Sequence, residues 1–200
     1  MSRTFSNIII FNNETLDFIE NKITSIFEGL DFEKCEEKEA KHKVDIVNDN
    51  INNICVVSSD FFKFEDSDLN KSTIRKVAKR VAQDAFLAYG QEDFAVLEKY
   101  SFNKRIYDYI AFGEDEKLDK LGYENKSGYM YPEVWKNHFV GRNTIADVDK
   151  LISQERTFFA KSEIIVEILK LYGIKYELAT YNVGDYTSGA DVQKVTVYFK

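Results

Sequence analysis

The first thirty residues change from a strand pattern to a helical pattern. Residues 4 to 11 (TFSNIIIF) are rich in β-branched and aromatic side chains, which predicts a strand. Apolar residues from Leu16 to Leu30 then recur at steps of three and four positions, and Gly29 is placed to end the helix that this spacing predicts. The chain is therefore expected to open with a strand and an amphipathic helix.

The next segments predict a hairpin and a second helix. The charged run at 33 to 43 is typical of a solvated connection. Residues 43 to 64 have the pattern of two strands around an Asn/Asp turn, and the second strand can extend to Phe64. Between Asp68 and Gly90, the apolar positions form one stripe and the cations take the opposite side, so we predict a helix across that range.

The second half of the chain adds two hairpins and further helices. Residues 92 to 112 predict a hairpin, and a short helical pattern follows around Lys117 to Leu121. Pro132 suits the first turn of a helix through Phe139 that Gly141 would terminate. Helical spacing begins at Thr144, with Asp147 as part of a capping box, and reaches Gly173 as one helix or two. Residues 175 to 199 alternate around a Gly-containing loop and predict a terminal hairpin.

Strands that come mainly as hairpins, with helices between them, predict an α+β fold. We expect a largely antiparallel sheet with three to five helices packed on it. No Pro-rich or Gly/Ser-rich linker divides the chain, so residues 1–200 are expected to form a single domain.

The composition of the chain limits the cellular compartment and the classes of partner that we expect. The chain has 27 Lys and Arg against 34 Asp and Glu, a net charge of -7, which disfavours binding to nucleic acid or to an anionic membrane. No apolar run approaches the ~20 residues that span a bilayer, and the run from Ile8 to Phe11 is too short for a signal peptide. The two cysteines, Cys35 and Cys55, do not suggest a disulfide framework, so we expect a cytoplasmic protein.

No motif for catalysis, for a cofactor or for a metal is present. The loop GDYTSGA at 184 to 190 lacks the lysine of a P-loop and is expected to connect two strands. His42 and His138 lack a second metal ligand at helical spacing, and His138 is expected at the edge of a packed helix face. Cys55 lies in a strand pattern and is expected to be a small buried hydrophobe. We therefore predict no catalysis, no cofactor and no metal.

An acidic run after the hairpin leaves three interpretations open. Glu114, Asp115 and Glu116 follow Gly113 directly. They can form a solvated turn, a patch that contacts a protein, or, together with Asp108, a site for a divalent cation. The last interpretation would make the chain a metal-dependent hydrolase.

The register of the hairpin can be derived from its turn. If Asn103 and Lys104 form a two-residue loop, Lys99 faces Asp108 and Tyr100 faces Tyr107. One face then has an apolar strip that is expected to face the core, with Lys99 and Asp108 as an opposite-charge pair. The other face has three tyrosines with an arginine and a glutamate: Glu98, Tyr100, Arg105, Tyr107 and Tyr109. Tyrosine and arginine dominate interface hot spots, so this face either lies under a helix or is exposed and binds a partner.

Four features of the chain belong together: the strand DFAVLEKY, the segment KRIYDYIAFGED, the acidic balance and the bias towards Lys, Ile, Asn, Phe and Tyr. In these features the chain resembles immunity proteins that are paired with polymorphic or contact-delivered bacterial toxins. The resemblance implies a cytoplasmic protein without catalysis that inhibits a basic toxin or effector by stoichiometric binding. A phage-encoded antagonist of a bacterial defence system fits the same features.

The expected partner-binding residues come from the second hairpin face and from the acidic run. They are Glu98, Tyr100, Arg105, Tyr107, Tyr109, Glu114, Asp115 and Glu116.

Overall fold

The computed structural model describes residues 4–12, 14–62, 68–102, 106–124, 126, 128–182, 184–185 and 191–200. Seven strands and seven α-helices occur in these ranges. The strands are β1 (Phe5–Phe11), β2 (His42–Asp49), β3 (Ile54–Ser59), β4 (Ala85–Gly90), β5 (Phe94–Ser101), β6 (Ile106–Gly113) and β7 (Val192–Phe199). The helices are α1 (Leu16–Glu28), α2 (Asp68–Arg80), α3 (Asp115–Lys120), α4 (Pro132–Trp135), α5 (Ile145–Ser153), α6 (Lys161–Leu171) and α7 (Tyr176–Ala179).

The strands form one antiparallel sheet in the order β6-β5-β4-β1-β3-β2-β7. The pairs β2–β3, β4–β5 and β5–β6 follow one another in the chain as hairpins. Four of the helices have seven residues or more. The predicted α+β class with an antiparallel sheet is therefore confirmed.

Both faces of the sheet are buried, which explains the composition of its central strands. Along β1, Ile8 and Ile10 pack with α1 and α2, whereas Ile9 packs on the opposite face with α6. All three isoleucines are fully buried. A strand that is covered on both sides has apolar residues at consecutive positions, as NIIIF has.

The predicted helix at 68 to 90 is wrong in its second half. Helix α2 ends at Arg80, and Ala82 has a positive φ of 57°. Residues Ala85–Gly90 instead form β4, which lies between β1 and β5. Every residue of β4 is buried. A short apolar run that is buried on both sides cannot be distinguished from a buried helix by its periodicity, and here the pairing with two strands decides.

The predicted terminal hairpin is also wrong, because only its second half is a strand. Residues Tyr176–Ala179 form α7, whose Leu178 and Ala179 are buried in the same core cluster as α6. Strand β7 pairs instead with β2, at the edge of the sheet. The loop at 184 to 190 therefore does not follow a strand, and its residues 186–190 lie outside the described ranges.

Other boundaries differ less. The strand after Ile54 stops at Ser59 and continues as a 3-10 turn at Asp60–Phe62, and the helix at Pro132 ends at Trp135 instead of Phe139. The segment from Thr144 forms two helices, α5 and α6. The capping box at the start of α5 is confirmed, since the Thr144 N–H donates to Asp147 Oδ2 at 2.8 Å.

Gly90 marks a close approach between β4, β1 and α6. A Cβ atom at this position would lie 2.6 Å from the ring of Phe5 and 2.8 Å from the Cβ of Ser162. We expect Gly90→Ala to lower the free energy of unfolding by about 1–3 kcal/mol, the usual cost of overpacking, as measured by urea denaturation. Gly128→Ala is the matched control, since a Cβ there would meet no atom within 4 Å. Equal effects of the two substitutions would contradict this packing.

Candidate functional site

The predicted register of the β5–β6 hairpin is confirmed. Lys99 faces Asp108, Tyr100 faces Tyr107 and Glu98 faces Tyr109. The face with Leu97 and Ile110 packs in the core beneath α4 and α6, as expected. The predicted two-residue loop, Asn103 and Lys104, lies outside the described ranges.

The second face of the hairpin lies under helix α2, and a buried ion pair joins the two. Arg75 of α2 donates from Nε to Glu98 Oε1 at 2.8 Å and also donates from its terminal nitrogen to the same oxygen. Glu98 is fully buried. Burial opposes the charge of Arg75, but the Glu98 carboxylate beside it raises the pKa of the guanidinium. The guanidinium of Arg75 therefore remains charged.

Two tyrosines complete the shell around Glu98. The Tyr100 hydroxyl donates to Glu98 Oε2 at 2.5 Å, and the Tyr123 hydroxyl donates to Oε1 at 2.6 Å. Burial, and next the charge of Glu98, raise the pKa of both phenols, so they stay protonated as donors. The guanidinium of Arg75 also lies 4.8 Å from the centre of the Tyr123 ring. This is an internal network that fastens α2 to the sheet.

Several of the expected contact residues are therefore internal. Glu98 and Tyr100 are buried, and Tyr109 is half-buried between Tyr123 and Lys126. Of the two expected alternatives for this face, the structure has the one in which a helix covers it. Glu98 and Tyr100 are therefore not available to a protein partner. Tyr107 remains 42% exposed. Arg105 lies outside the described ranges.

The acidic run lies on the surface, directly after Gly113, the last residue of β6. Glu114 is the N-cap residue of α3, and Asp115 and Glu116 form its first turn; all three are exposed. Glu114 lines a surface depression of about 780 Å³ together with Glu92, Asp93 and Glu155. An exposed aromatic residue, Phe159, stands at the same depression.

The geometry does not join Asp108 to this acidic run. Asp108 is buried and accepts from Lys126 Nζ at 2.9 Å, from the Tyr131 N–H at 2.7 Å and from Trp135 Nε1 at 3.2 Å. Burial alone would raise its pKa, but these donors lower it, so the carboxylate is ionised and structurally engaged. Within the described ranges, no three His, Cys, Asp or Glu side chains are grouped so that they could hold a metal ion.

Sequence reasoning missed the most unusual titratable group, Lys99. The expected ion pair with Asp108 does not form, and Lys99 Nζ is buried without a hydrogen-bond partner among the residues that the structure describes. It lies 4.3 Å from the ring centre of Phe86, 4.5 Å from that of Phe11 and 5.1 Å from that of Tyr172. Burial lowers the pKa of Lys99 to about 7, against a smaller opposing effect of Asp84. A neutral amine of this kind is nucleophilic, but Lys99 has no exposed surface at which a substrate could reach it.

A histidine and an aspartate lie next to the three aromatic rings that surround Lys99, which we call its aromatic cage. His138 Nε2 is 2.8 Å from Asp84 Oδ2, and the imidazole stacks on Phe11 with ring centres 4.1 Å apart. His138 is not at a helix edge as expected, because α4 ends three residues earlier and His138 has a positive φ of 71°. Hydrogen bonding to His138 is the largest effect on Asp84 and lowers the pKa of its carboxyl.

The cysteine Cys55 behaves as the sequence indicates. It is fully buried in β3, and burial raises the pKa of its thiol to about 12. A thiol that stays protonated at neutral pH is a poor nucleophile. Neither Cys35 nor Cys55 forms a disulfide bond.

No family model matches the chain, and comparisons with curated proteins and with solved structures found no similar protein. Among the described residues, no helix has both the length and the apolar character that crossing a membrane requires. The fold defines an α+β protein whose antiparallel sheet is covered on both faces.

The Arg75–Glu98 pair makes a stability prediction. Glu98→Gln leaves the guanidinium of Arg75 without its buried counter-ion. We expect this to lower the free energy of unfolding by about 3 kcal/mol. The value is at the low end for buried ion pairs because Arg75 is partly exposed. In urea denaturation, Arg75→Ala combined with Glu98→Gln should cost less than the sum of the single changes. Glu116→Gln, in the exposed pair with Lys120, should change stability little. Strict additivity would contradict the coupling.

The burial of Lys99 predicts how the stability of the protein depends on pH. Its pKa falls from 10.5 to about 7 on folding, so between those values the unfolded chain binds more protons and stability rises with pH. Lys99→Met removes this contribution. The variant should be more stable than the parent near pH 6.5, and its advantage should shrink by up to about 1.4 kcal/mol per pH unit towards pH 9.5. Lys76→Met, at an exposed lysine, should show no such trend in urea denaturation. A pH-independent difference for Lys99→Met would overturn the assignment.

Proposed function

We propose that the chain is a non-catalytic binding protein of the immunity or inhibitor kind, which neutralises a toxin or effector by stoichiometric binding. The observation that supports this best is the depression lined by Glu92, Asp93, Glu114 and Glu155, with Phe159 beside it. The proposal moves the contact surface from the covered tyrosine face to the acidic end of the same hairpin. The cytoplasmic setting, where both cysteines stay free, is part of this proposal.

The charge of this depression favours a basic partner. Among the described side chains, four carboxylates line it and two ammonium groups oppose them: Lys161, which pairs with Glu155, and Lys117, which pairs with Asp93 and Glu114. These described groups have two more negative than positive charges, on a chain whose net charge is -7. Complementary charge steers association and selects among partners more than it raises affinity.

Phe159 supplies an apolar anchor for such a partner. Its side chain is 85% exposed, the highest value among the large hydrophobic residues whose burial the structure describes. It follows the 3-10 turn Glu155–Thr157 that connects α5 to α6. Aromatic side chains with a polar rim are enriched in protein interfaces, because burial of the ring gains free energy and the rim excludes water. The depression has both parts of this arrangement.

The partner should be encoded beside the gene for this chain, as in toxin–immunity pairs. We expect the purified adjacent gene product to form a 1:1 complex, seen by light scattering after gel filtration. Phe159→Ala and Glu114→Lys should each raise the Kd at least tenfold in calorimetry, about 1.4 kcal/mol. The affinity should also fall with added salt, since rim charges contribute.

Two control variants test whether the location matters. Phe18→Ala removes another exposed phenylalanine, on α1, and Glu36→Lys reverses another exposed acid; neither should change the Kd. Tight binding that resists Phe159→Ala and Glu114→Lys would reject this surface. A neighbour that is not bound and not toxic would reject the immunity hypothesis, and a phage gene context would favour the antagonist of bacterial defence instead.

A further inference from the structure

The end of β5 that lies far from the acidic depression has a surface of the opposite character. Three aromatic side chains, Tyr100, Phe102 and Tyr107, line a cavity of about 560 Å³ beside the last turn of α2. Phe102 is 50% exposed and Tyr107 is 42% exposed. The cavity therefore offers ring surface to a partner from outside.

The fold holds these aromatic rings in place. Tyr100 and Tyr107 stack with ring centres 5.5 Å apart and an angle of 21° between the planes. The Tyr100 hydroxyl also donates to the buried Glu98. The Phe102 N–H donates to Asp84 Oδ1 at 2.8 Å. Side chains that are already fixed lose little conformational entropy when a partner covers them.

Exposed cations of α2 lie next to the aromatic cavity. They are Lys76, Lys79 and Arg80. Lys79 lines the cavity, and its Nζ lies 5.4 Å from the centre of the Tyr107 ring. Among the side chains that the structure describes, none of the three cations pairs with a carboxylate, whereas Arg75 is neutralised by Glu98. We call these three cations and the three rings of the cavity the basic aromatic surface.

The acidic depression has the features that complement this surface. Its carboxylates are those of Glu92, Asp93, Glu114 and Glu155, and the ring of Phe159 beside them is 85% exposed. One end of β5 thus has carboxylates with an exposed ring, and the other end has cations with a cavity walled by rings. An aromatic side chain that enters such a cavity gains apolar burial together with ring–ring contacts.

The net charge of the chain does not prevent contact between two copies. The two surfaces lie at opposite ends of one strand, so they meet only when they belong to different molecules. At an ionic strength of about 0.1 M the Debye length is about 10 Å. Repulsion between two chains of net charge -7 is then largely screened, whereas groups in direct contact still attract each other.

We propose that the basic aromatic surface binds the acidic depression of a second copy of this chain, head to tail. Phe159 of one copy enters the aromatic cavity of the other, and the carboxylates beside Phe159 pair with Lys79 and the adjacent cations of α2. The contact is heterologous, so it leads to a closed ring or to a growing chain of copies. It also covers the acidic depression and competes there with a toxin or effector, and this consequence alone rests on the proposed function.

Sedimentation velocity of the whole chain tests the proposal. At about 0.1 M salt the average mass should rise between micromolar and millimolar protein, and at about 1 M salt it should fall towards that of the monomer. A mass that ignores salt would exclude these ion pairs. A chain that stays monomeric at millimolar concentration would overturn the proposal. If that monomer binds a peptide of alternating Glu and Phe, the surface serves a foreign acidic partner instead of a second copy.

A mixing experiment tests whether the contact is head to tail. Phe102→Ala combined with Lys79→Met removes one side of the contact, and Phe159→Ala combined with Glu114→Gln removes the other. Each double variant alone should be monomeric, but an equimolar mixture should form a 1:1 heterodimer, because each variant retains the surface that the other lacks. The heterodimer also shows that both variants are folded. A mixture that does not associate, or a double variant that self-associates, would reject the head-to-tail contact.

Phe18→Ala combined with Lys41→Met is the matched control. Phe18 is 51% exposed on α1, close to the value for Phe102, and Lys41 is an exposed lysine before β2. This variant should self-associate as the parent does. An equal loss of association in the control would reject the location.

Failure of this proposal and failure of the proposed function are distinguishable, because self-association is measured with this chain alone. Phe102→Ala combined with Lys79→Met leaves the acidic depression unchanged, so this variant should bind the adjacent gene product at least as tightly as the parent does. Self-association without binding of that product would reject only the proposed function. Binding of that product without self-association would reject only the head-to-tail contact.

Discussion

The burial of the sheet on both faces is the constraint on which the rest of this structure depends. Helices α1, α2 and α3 cover one face, and helices α4 to α7 cover the other. A strand in the middle of such a sheet has no side that is open to water, so both of its side-chain rows have to be apolar or internally paired. Strands β1, β3 and β4 meet this condition with nearly continuous apolar runs.

Where the sheet contains charge, the surrounding elements provide the partners. Asp45 in β2 is buried, and it accepts hydrogen bonds from Tyr181, Thr196, the Gly184 N–H and Lys194. Burial alone would raise the pKa of Asp45, but these donors lower it. Because the donors belong to the segment after α7 and to β7, one carboxylate ties the C-terminal part of the chain to the sheet. Glu98 does the same for α2, and Asp108 does it for α4.

Lys99 is the exception to this pattern, because none of the described carboxylates pairs with its ammonium group. The acidic groups on its own face are engaged elsewhere: Asp108 by Lys126 and Trp135, and Asp84 by His138 and Phe102. The ammonium is left with three aromatic rings as its surroundings. Ring faces stabilise a cation less than a carboxylate does, so burial dominates and the pKa of Lys99 falls.

The sequence allowed local structure to be predicted more fully than long-range contacts. The hairpin register followed from one turn and the alternation of side chains, and the helix α1 followed from its periodicity. The strand β4 was missed because its burial comes from β1 and β5, to which no local signal points. The cage of Lys99 was missed for the same reason, since Phe11, Phe86 and Tyr172 come from three distant segments.

The burial of both sheet faces also limits where a binding surface can lie. With both faces of β5 covered, the described residues that flank this strand reach water: Glu92 and Asp93 lie at its start, beside the acidic depression, and Phe102 lies at its end. Strand β5 has eight residues, so at ~3.3 Å per residue these ends are roughly 23 Å apart. Sites at that distance without shared partners respond to substitution independently. One hairpin therefore exposes two separate regions, the acidic depression at one end and the surface around Phe102 at the other.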